Sequence, residues 1–420
     1  MELTRFTVIG LGGFAQAHLA AVDWLEEIKK GTLTGVVALP EDRKINHELF
    51  EKLQQRGITF FPSIDAFFES NGCADTDVLT VPIGIHQHVP VSVRAMAAGL
   101  HVYCEKPIAA TIQEADTLVA AEKKYNRKIA IGYQYLYSSS IQRLKNNIAD
   151  KRLGDVKSIK LLCSWPRSED YFNRNGWAGR MRVGENWVLD SPANNAVSHY
   201  LMNVLYLATG APRAAIPQAL EAELYRANNI ESTDLVQLKI VTDDAVACHI
   251  TFAHCAEKRV GPMLQVEGTA GTAIWSGDLG ETEIVFKNGE IERYEGESDP
   301  AWRYWGFRDL VDAIAENRAP LCTPGLARSQ TLAINLMHES CPEIKTIPVQ
   351  YIERVEALQD YPPDVKAWFN FVKNLDAVLQ QCYEDGAMLS ETDMAWATQG
   401  AGKQVSAAGY SQFPQSKLLG

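Results

Sequence analysis

The stretch RFTVIGLGGFAQAHL, residues 5–19, decides the fold. Its first half, RFTVIG, is an apolar run of the length and composition of a buried parallel strand. It breaks into a glycine-rich turn in which Gly10, Gly12 and Ala15 fit the spacing G-x-G-x-x-[GA]. In a dinucleotide-binding fold the first glycine permits the tight turn, the second lets the backbone approach a pyrophosphate, and the small third residue lets helix pack on strand. The phosphates then meet N–H groups at the start of a helix. Alone, such a pattern also describes a structural turn. Here a helix over about Ala15 to Lys30 and a strand over Leu33 to Leu39 follow it, which is the βαβ context that the motif requires.

The alternation continues. DVLTVPIGIHQHVPVSVRAMAAGLHVYCEKP, residues 77–107, reads as a strand (Asp77 to Val81), a loop, a helix (about Val89 to Ala98), a stop at Gly99 and a strand (His101 to Cys104). TIQEADTLVAAEKKY opens with a capping-box pair, Thr111 and Glu114, and leads through an amphipathic helix to the strand KIAIGYQ. The predicted class is therefore α/β, with a Rossmann dinucleotide-binding domain over residues 1–135. After a helix ending near Gly154, strands are expected at Val156 to Trp165, Ala219 to Tyr225, Leu235 to Val241, Ala245 to His254 and Met263 to Val266. A hairpin, EIVFKNGEIERY, turns at Asn288 and Gly289. Residues 136–347 thus read as an α+β domain with a mostly antiparallel open sheet. Residues 348–420 form a C-terminal extension, partly helical, with an amphipathic PPDVKAWFNFVKNLDAVLQQCY read as a helical cover and a Gly/Ser/Gln-rich end.

Composition narrows the functional classes. The 420 residues are 46% hydrophobic and carry 52 acidic against 40 basic side chains, a formal charge of −12. With no long Lys/Arg block, a nucleic-acid or anionic-membrane surface is not expected. No apolar run approaches about 18 residues and MELTRFTVIG lacks the parts of a signal peptide, so cytoplasm is the expected compartment. The eight cysteines form no CxxC pair and read as reduced core residues. In CHITFAHC, residues 248–255, same-face Cys/His pairs lie six residues apart on a strand, about 20 Å, too far for one metal ion, so no metal is expected.

Three segments together resemble the glucose-fructose oxidoreductase, inositol dehydrogenase and rhizopine-catabolism (Gfo/Idh/MocA) family. They are GLGGFAQAH; VPIGIHQH followed by AAGLHVYCEKP, similar to the family's TPxxxH and AGKHVxCEKP; and LDSPANNAVSHYLMN, residues 189–203, similar to a DxxxHxxD helix. The resemblance implies an NAD(P)-dependent oxidoreductase acting on a sugar or polyol, a homodimer or homotetramer built through the second domain's sheet, and specific roles. Lys106 would sit near the substrate hydroxyl and nicotinamide, oriented by Glu105, with Pro107 fixing the chain's exit. Gly10, Gly12, Gly13, Phe14, Ala15, Pro82 and His86 would line the cofactor, His86 from a loop, and Tyr133 and Gln134 would face the substrate.

Hydride removal from a carbinol needs a cation to polarise the oxygen and a titrating group to move the proton. His199 is the candidate for the second task. Ser191 is a good N-cap, Pro192 a good first residue, and Gly210 with Pro212 a stop, which predicts a helix from about Pro192 to Thr209. Asn195, His199 and Asn203 then share one face. Relatives often have aspartate where this chain has Asn195, and an amide can orient an imidazole without stabilising its cation. SWPRSEDYFNRNGWAGRMRVGENW, residues 164–187, is rich in aromatic and planar polar groups that suit a polyhydroxylated ring, with Tyr171, Arg174, Asn175 and Trp177 as candidates. After the second strand, VVALPEDRK offers Glu41 to a ribose, or Arg43 and Lys44 to a 2′-phosphate. NAD is favoured and NADP left open. Two other readings stay open: glycoside processing through transient oxidation with retained NAD, and a non-catalytic nucleotide-binding or regulatory protein.

Overall fold

The computed structural model describes residues 3–277, 279–359, 365–397 and 402–415. The start of the amphipathic C-terminal segment, residues 362–364, and the last five residues of the Gly/Ser/Gln-rich end lie outside the described residues. The chain forms two units. The first holds residues up to Ala109, Glu114–Tyr137 and Asp299–Arg328, and the second holds the remainder.

The first unit is built on strands β1 (Thr4–Ile9), β2 (Gly31–Val37), β3 (Thr59–Phe61), β4 (Val78–Val81), β5 (His101–Cys104) and β6 (Ile129–Ile131). Their order is β3-β2-β1-β4-β5-β6, all parallel, which is the doubly wound Rossmann arrangement. The helix after β1, α1 (Ala15–Glu27), turns Leu19, Val22 and Leu25 against Phe6 and Val8; each such burial contributes about 1.5–3 kcal/mol. Local pattern did not reveal that residues 299–328 return to this unit. Their helix, α2 (Ala301–Ala315), stacks Phe307 on Tyr103 at 3.9 Å and brings it 6.2 Å from Phe6.

In the second unit β7 (Val156–Ser164), β8 (Pro217–Arg226), β9 (Leu235–Thr242), β10 (Ala247–Ala253), β11 (Val260–Gly268), β12 (Gly271–Ser276), β13 (Glu281–Phe286), β14 (Ile291–Tyr294) and β15 (Lys345–Thr346) form one sheet. Its order is β14-β13-β12-β11-β7-β10-β9-β8-β15, and only the β7–β10 and β8–β15 pairs are parallel. The expected mostly antiparallel sheet is present, with β12 as a strand the sequence reading had not marked.

The C-terminal extension departs from its reading as a helical cover. Alternation in KAWFNFV, with Ala367 and Phe369 buried and Lys366 and Trp368 exposed, makes a strand, β17 (Lys366–Val372), paired with β16 (Ile352–Leu358). Asn374 then turns left-handed at φ 62°, and the helix begins only at α3 (Leu375–Asp385). Leu375, Leu379, Cys382 and Tyr383 cover Leu162, Tyr225, Leu235 and Ala253 on one face of the large sheet. The same face, followed across the strands by register, leaves Val241, Ile274, Val285 and Ile291 exposed.

Candidate active site

In the first unit the predicted cofactor residues follow the carboxyl ends of the parallel strands, where α/β sheets bind their ligands. After β1, Gly10 adopts φ +100° and Gly13 φ +55°, conformations that a side chain would strain. A Cβ on Gly10 would lie 3.1 Å from Ala15 Cβ, and one on Gly12 3.1 Å from Asn46 Nδ2. Asn46, which accepts from Gln16 Nε2 at 3.3 Å, therefore borders the turn, a neighbour that sequence spacing had not shown. No side chain caps α1, and Phe14 stands exposed at its start. Beyond β2, Glu41 is exposed in a short helix (Pro40–Ile45), whereas Arg43 folds back, its Nε donating to Ala38 O at 3.0 Å.

Pro82 follows β4, and the helix after it spans Ile85–Ala97. His86 thus lies in a helical first turn and not in the expected loop: Gly84, extended at ψ 143°, starts the helix four residues before Val89, and Pro90 is tolerated within its first turns. His88 in the next turn was not anticipated. Fully buried, it places Nδ1 2.7 Å from Pro107 O and Nε2 3.0 Å from Ile83 O. Only the imidazolium could donate to both carbonyls, yet burial pulls its pKa down.

Lys106 is part-exposed at the end of β5, and the Lys106–Pro107 peptide is cis. Glu105 is buried: its Oε2 accepts from Lys106 N at 3.1 Å and its Oε1 lies 3.0 Å from His18 Nε2. Burial opposes the charge, but the hydrogen bond and charge of His18, with Lys106, hold Glu105 below the usual carboxylate range. Gly132 leaves the room this needs, since a Cβ there would sit 2.5 Å from Glu105 Oε1. Tyr133, next in the chain, is buried at 1% exposure, which raises its phenol pKa well above normal.

In the second unit the predicted helix from Pro192 is shorter. Ser191 Oγ accepts from Asn194 N at 3.1 Å, capping a run of turns, and the α-helix that carries His199, the His199 helix, spans Ser198–Leu207. The amides of the preceding residues explain the delay. Asn194 Nδ2 donates to Val188 O and Leu189 O, each at 3.2 Å, and Asn195 Nδ2 donates to Asp190 Oδ1 at 2.8 Å. Such side-chain bonds to nearby groups compete with helix. Asn195 is therefore outside the helix that carries His199, so the shared helical face is lost. His199 is buried on that helix at 7% exposure. Asn203 is fully buried, and neither Oδ1 nor Nδ2 meets a hydrogen-bond partner among the described residues. A satisfied internal network does not account for it.

The candidate substrate segment carries a short helix, Glu169–Asn173, capped by Ser168 Oγ, which accepts from Tyr171 N at 3.3 Å. Arg174 lies over Tyr171 at 3.8 Å and within 5.3 Å of the Trp177 ring. Asn175 Oδ1 accepts from Trp177 N at 3.0 Å and Ala178 N at 2.8 Å, so its oxygen shapes the turn. Asp190 closes the segment's base, accepting from Gly179 N at 2.6 Å. Among the described residues no His/Cys/Asp/Glu group could hold a metal ion, and no helix is long and apolar enough to cross a membrane.

Residues 4–133 match the profile of the Gfo/Idh/MocA oxidoreductase family with its NAD-binding Rossmann fold. That match runs through the glycine turn and Lys106 to Tyr133. Among curated relatives, glucose-6-phosphate 3-dehydrogenase of Bacillus subtilis is 29% identical over 38% of this chain and 42% of its own length. Inositol 2-dehydrogenase of Klebsiella pneumoniae is 26% identical over 47% of this chain and 52% of its own. The chain thus spans about half the length of the curated relatives it matches. Among solved structures, the WlbA dehydrogenase from Bordetella pertussis in complex with NADH and UDP-GlcNAcA superposes with a TM-score of 0.65 at 17% identity, over 80% of this chain and 96% of that one. Aldose-aldose oxidoreductase from Caulobacter crescentus, complexed with glycerol, gives 0.65 at 20% identity, over 80% and 97%. At those identities the likeness is one of fold.

The structure accounts for an amide at Asn195, where the resemblance implies an aspartate. Asp190 already occupies the far side of its hydrogen bond, and a second carboxylate there would face the first at 2.8 Å without a proton between them. Asp190 stands in the stretch LDSPANN, nine residues before His199, whereas helical spacing places a same-face partner four residues before it. His18 likewise stands in GLGGFAQAH, yet nothing local pairs it with a glutamate 87 residues away.

Proposed function

We propose that this chain is an NAD(P)-dependent oxidoreductase, preferring NAD, that moves hydride between the nicotinamide and a sugar, inositol or related polyol. The observation that carries the reading is Lys106 at the carboxyl end of β5, its Glu105 neighbour anchored by His18 on the same sheet edge as the glycine turn. The residues fit a dinucleotide: at Gly10 and Gly12 a Cβ would crowd Ala15 and Asn46, Gly13 holds a positive φ, and Ala15 packs beneath the turn. Phe14, Pro82 and His86 follow strand ends on that edge, and Glu41 is assigned the ribose hydroxyls. Arg43, turned back onto Ala38, favours NAD over its 2′-phosphorylated form.

When bound, the nicotinamide supplies the hydride acceptor or donor. Lys106 is assigned the substrate oxygen, whose developing negative charge its ammonium stabilises. His199 is assigned the hydroxyl proton. Asn195, held by Asp190, orders the turns that lead into the His199 helix. Tyr171, Arg174, Asn175 and Trp177 are assigned to the substrate ring, together with Tyr133. Assembly as a homodimer or homotetramer is proposed through the sheet face that exposes Val241, Ile274, Val285 and Ile291; light scattering of purified protein tests it.

Purified protein is to be assayed for steady reduction of added NAD and NADP over a panel of aldoses, sugar phosphates, nucleotide sugars and inositols. Turnover with at least one member, lost in Lys106→Ala, supports the reading. Absence of any nucleotide-dependent thermal shift removes it.

A further inference from the structure

The C-terminal hairpin β16–β17 does more than lie beside the second unit's sheet. Arg354 on β16 meets Glu169 in a two-pronged pair, Nε to Oε1 at 2.8 Å and Nη2 to Oε2 at 2.9 Å. Asn370 on β17 donates to the same Oε1 at 3.2 Å and to Asn228 Oδ1 at 2.9 Å. Asn228 is in turn held by the buried Asp234, which accepts from its Nδ2 at 2.7 Å. A third link comes from the end of β16, where Ser168 Oγ donates to Gln359 Oε1 at 3.0 Å. Arg354 is braced from its own hairpin, its guanidinium 4.0 Å from the Trp368 ring centre.

Glu169 and Ser168 are the first residue and the cap of the short helix that carries Tyr171. A lone exposed ion pair orders little. Here a planar guanidinium and two amides converge on two adjacent residues, so the geometry is set by several bonds that share partners. The hydrogen bond from Arg354 holds the Glu169 carboxyl below its usual range. The solved relatives are matched nearly end to end while about a fifth of this chain is left over, so this chain carries substance beyond the shared fold.

We propose that the β16–β17 hairpin is a positioning element for substrate recognition: Arg354, Asn370 and Gln359 fix Ser168 and Glu169, and through their helix set where Tyr171 and Arg174 stand against a polyhydroxylated substrate. The inference rests on the assignment of residues 164–187 to substrate. The hairpin residues act through the segment and do not themselves touch the substrate.

The test uses the full chain with Arg354→Ala and with the exchanged pair Arg354→Glu/Glu169→Arg. Two readouts are taken: hydrogen exchange of residues 168–177, and KM for the polyol against KM for NAD. In Arg354→Ala, exchange in 168–177 rises, substrate KM rises about tenfold and the NAD KM stays within about twofold, the pattern of lost substrate positioning. The exchanged pair recovers most of both effects. Unchanged exchange in 168–177, or loss spread equally over both KM values, overturns the proposal. If the wild-type protein turns over no polyol, the dehydrogenase reading fails by that result. A rise in exchange confined to 168–177 then still supports the hairpin as the segment's clamp, and its absence overturns it.

Discussion

His18 and Glu105, 87 residues apart, form a buried contact in which His18 Nε2 lies 3.0 Å from Glu105 Oε1. It joins the helix that follows the glycine-rich turn to the residue that precedes Lys106. Removing one partner of a buried pair strands the other, so His18→Ala is expected to lower stability by about 2–4 kcal/mol in denaturant unfolding. Substrate turnover should fall more than NAD affinity, because the turn keeps its glycines while Lys106 loses its anchored neighbour.

Glu105 sets a pH dependence. Its folded pKa lies below that of the unfolded chain, so its contribution is full above the ordinary carboxylate range and is lost as the pH falls through the lower folded value. Unfolding free energy measured from about pH 6 downward should decline below about pH 4, and Glu105→Gln should flatten that decline at the cost of neutral-pH stability.

Asn195→Asp installs the aspartate that the DxxxHxxD resemblance implies and is nevertheless expected to harm this protein. It would set two carboxylates 2.8 Å apart in a site where Asp190 is buried, costing about 1–3 kcal/mol at pH 7. One of the two carboxyls gains a raised folded pKa, so the deficit is present at neutral pH and shrinks as the pH falls toward about 4. The double variant Asp190→Asn/Asn195→Asp, which reverses the donor and acceptor, should recover part of the loss in thermal unfolding. Equal stability of Asn195→Asp and wild type at pH 7 would contradict the role assigned to Asp190.

Lys145, buried on the helix Ser139–Ala149, donates to Tyr206 O at 2.6 Å, Thr209 O at 2.7 Å and Arg213 O at 3.3 Å, closing the end of the His199 helix. Lys145→Met leaves those carbonyls without their donor and is expected to cost about 2–3 kcal/mol by chemical denaturation. Because the helix also carries His199, turnover should fall with little change in NAD binding.

Cofactor choice is tested at Glu41. Its exposed carboxylate follows β2, while Arg43 is committed to Ala38 O. The ratio of kcat/KM for NAD to that for NADP should exceed unity and fall about tenfold in Glu41→Ala, the scale of one lost hydrogen bond to a ribose hydroxyl.

What the sequence by itself determined was local. A buried strand, a glycine turn and an amphipathic helix are written in residues a few positions apart, because backbone sterics and hydrophobic period act at that range; hence the Rossmann unit, the position of Lys106 at a strand end and most strands of the second sheet were legible. What only the tertiary structure decided were contacts made across the chain. His18 chose Glu105, Phe307 returned to stack on Tyr103, and Asp190 captured Asn195 and, with Asn194 bonding back to residues 188 and 189, delayed the helix before His199. The extension differs: its strand β17 is set by pairing with β16 in a local hairpin, and its burial alternates only over residues 366–369, too short a pattern to separate strand from helix. A polar side chain advertises that it needs a partner, and only packing says which partner is within reach.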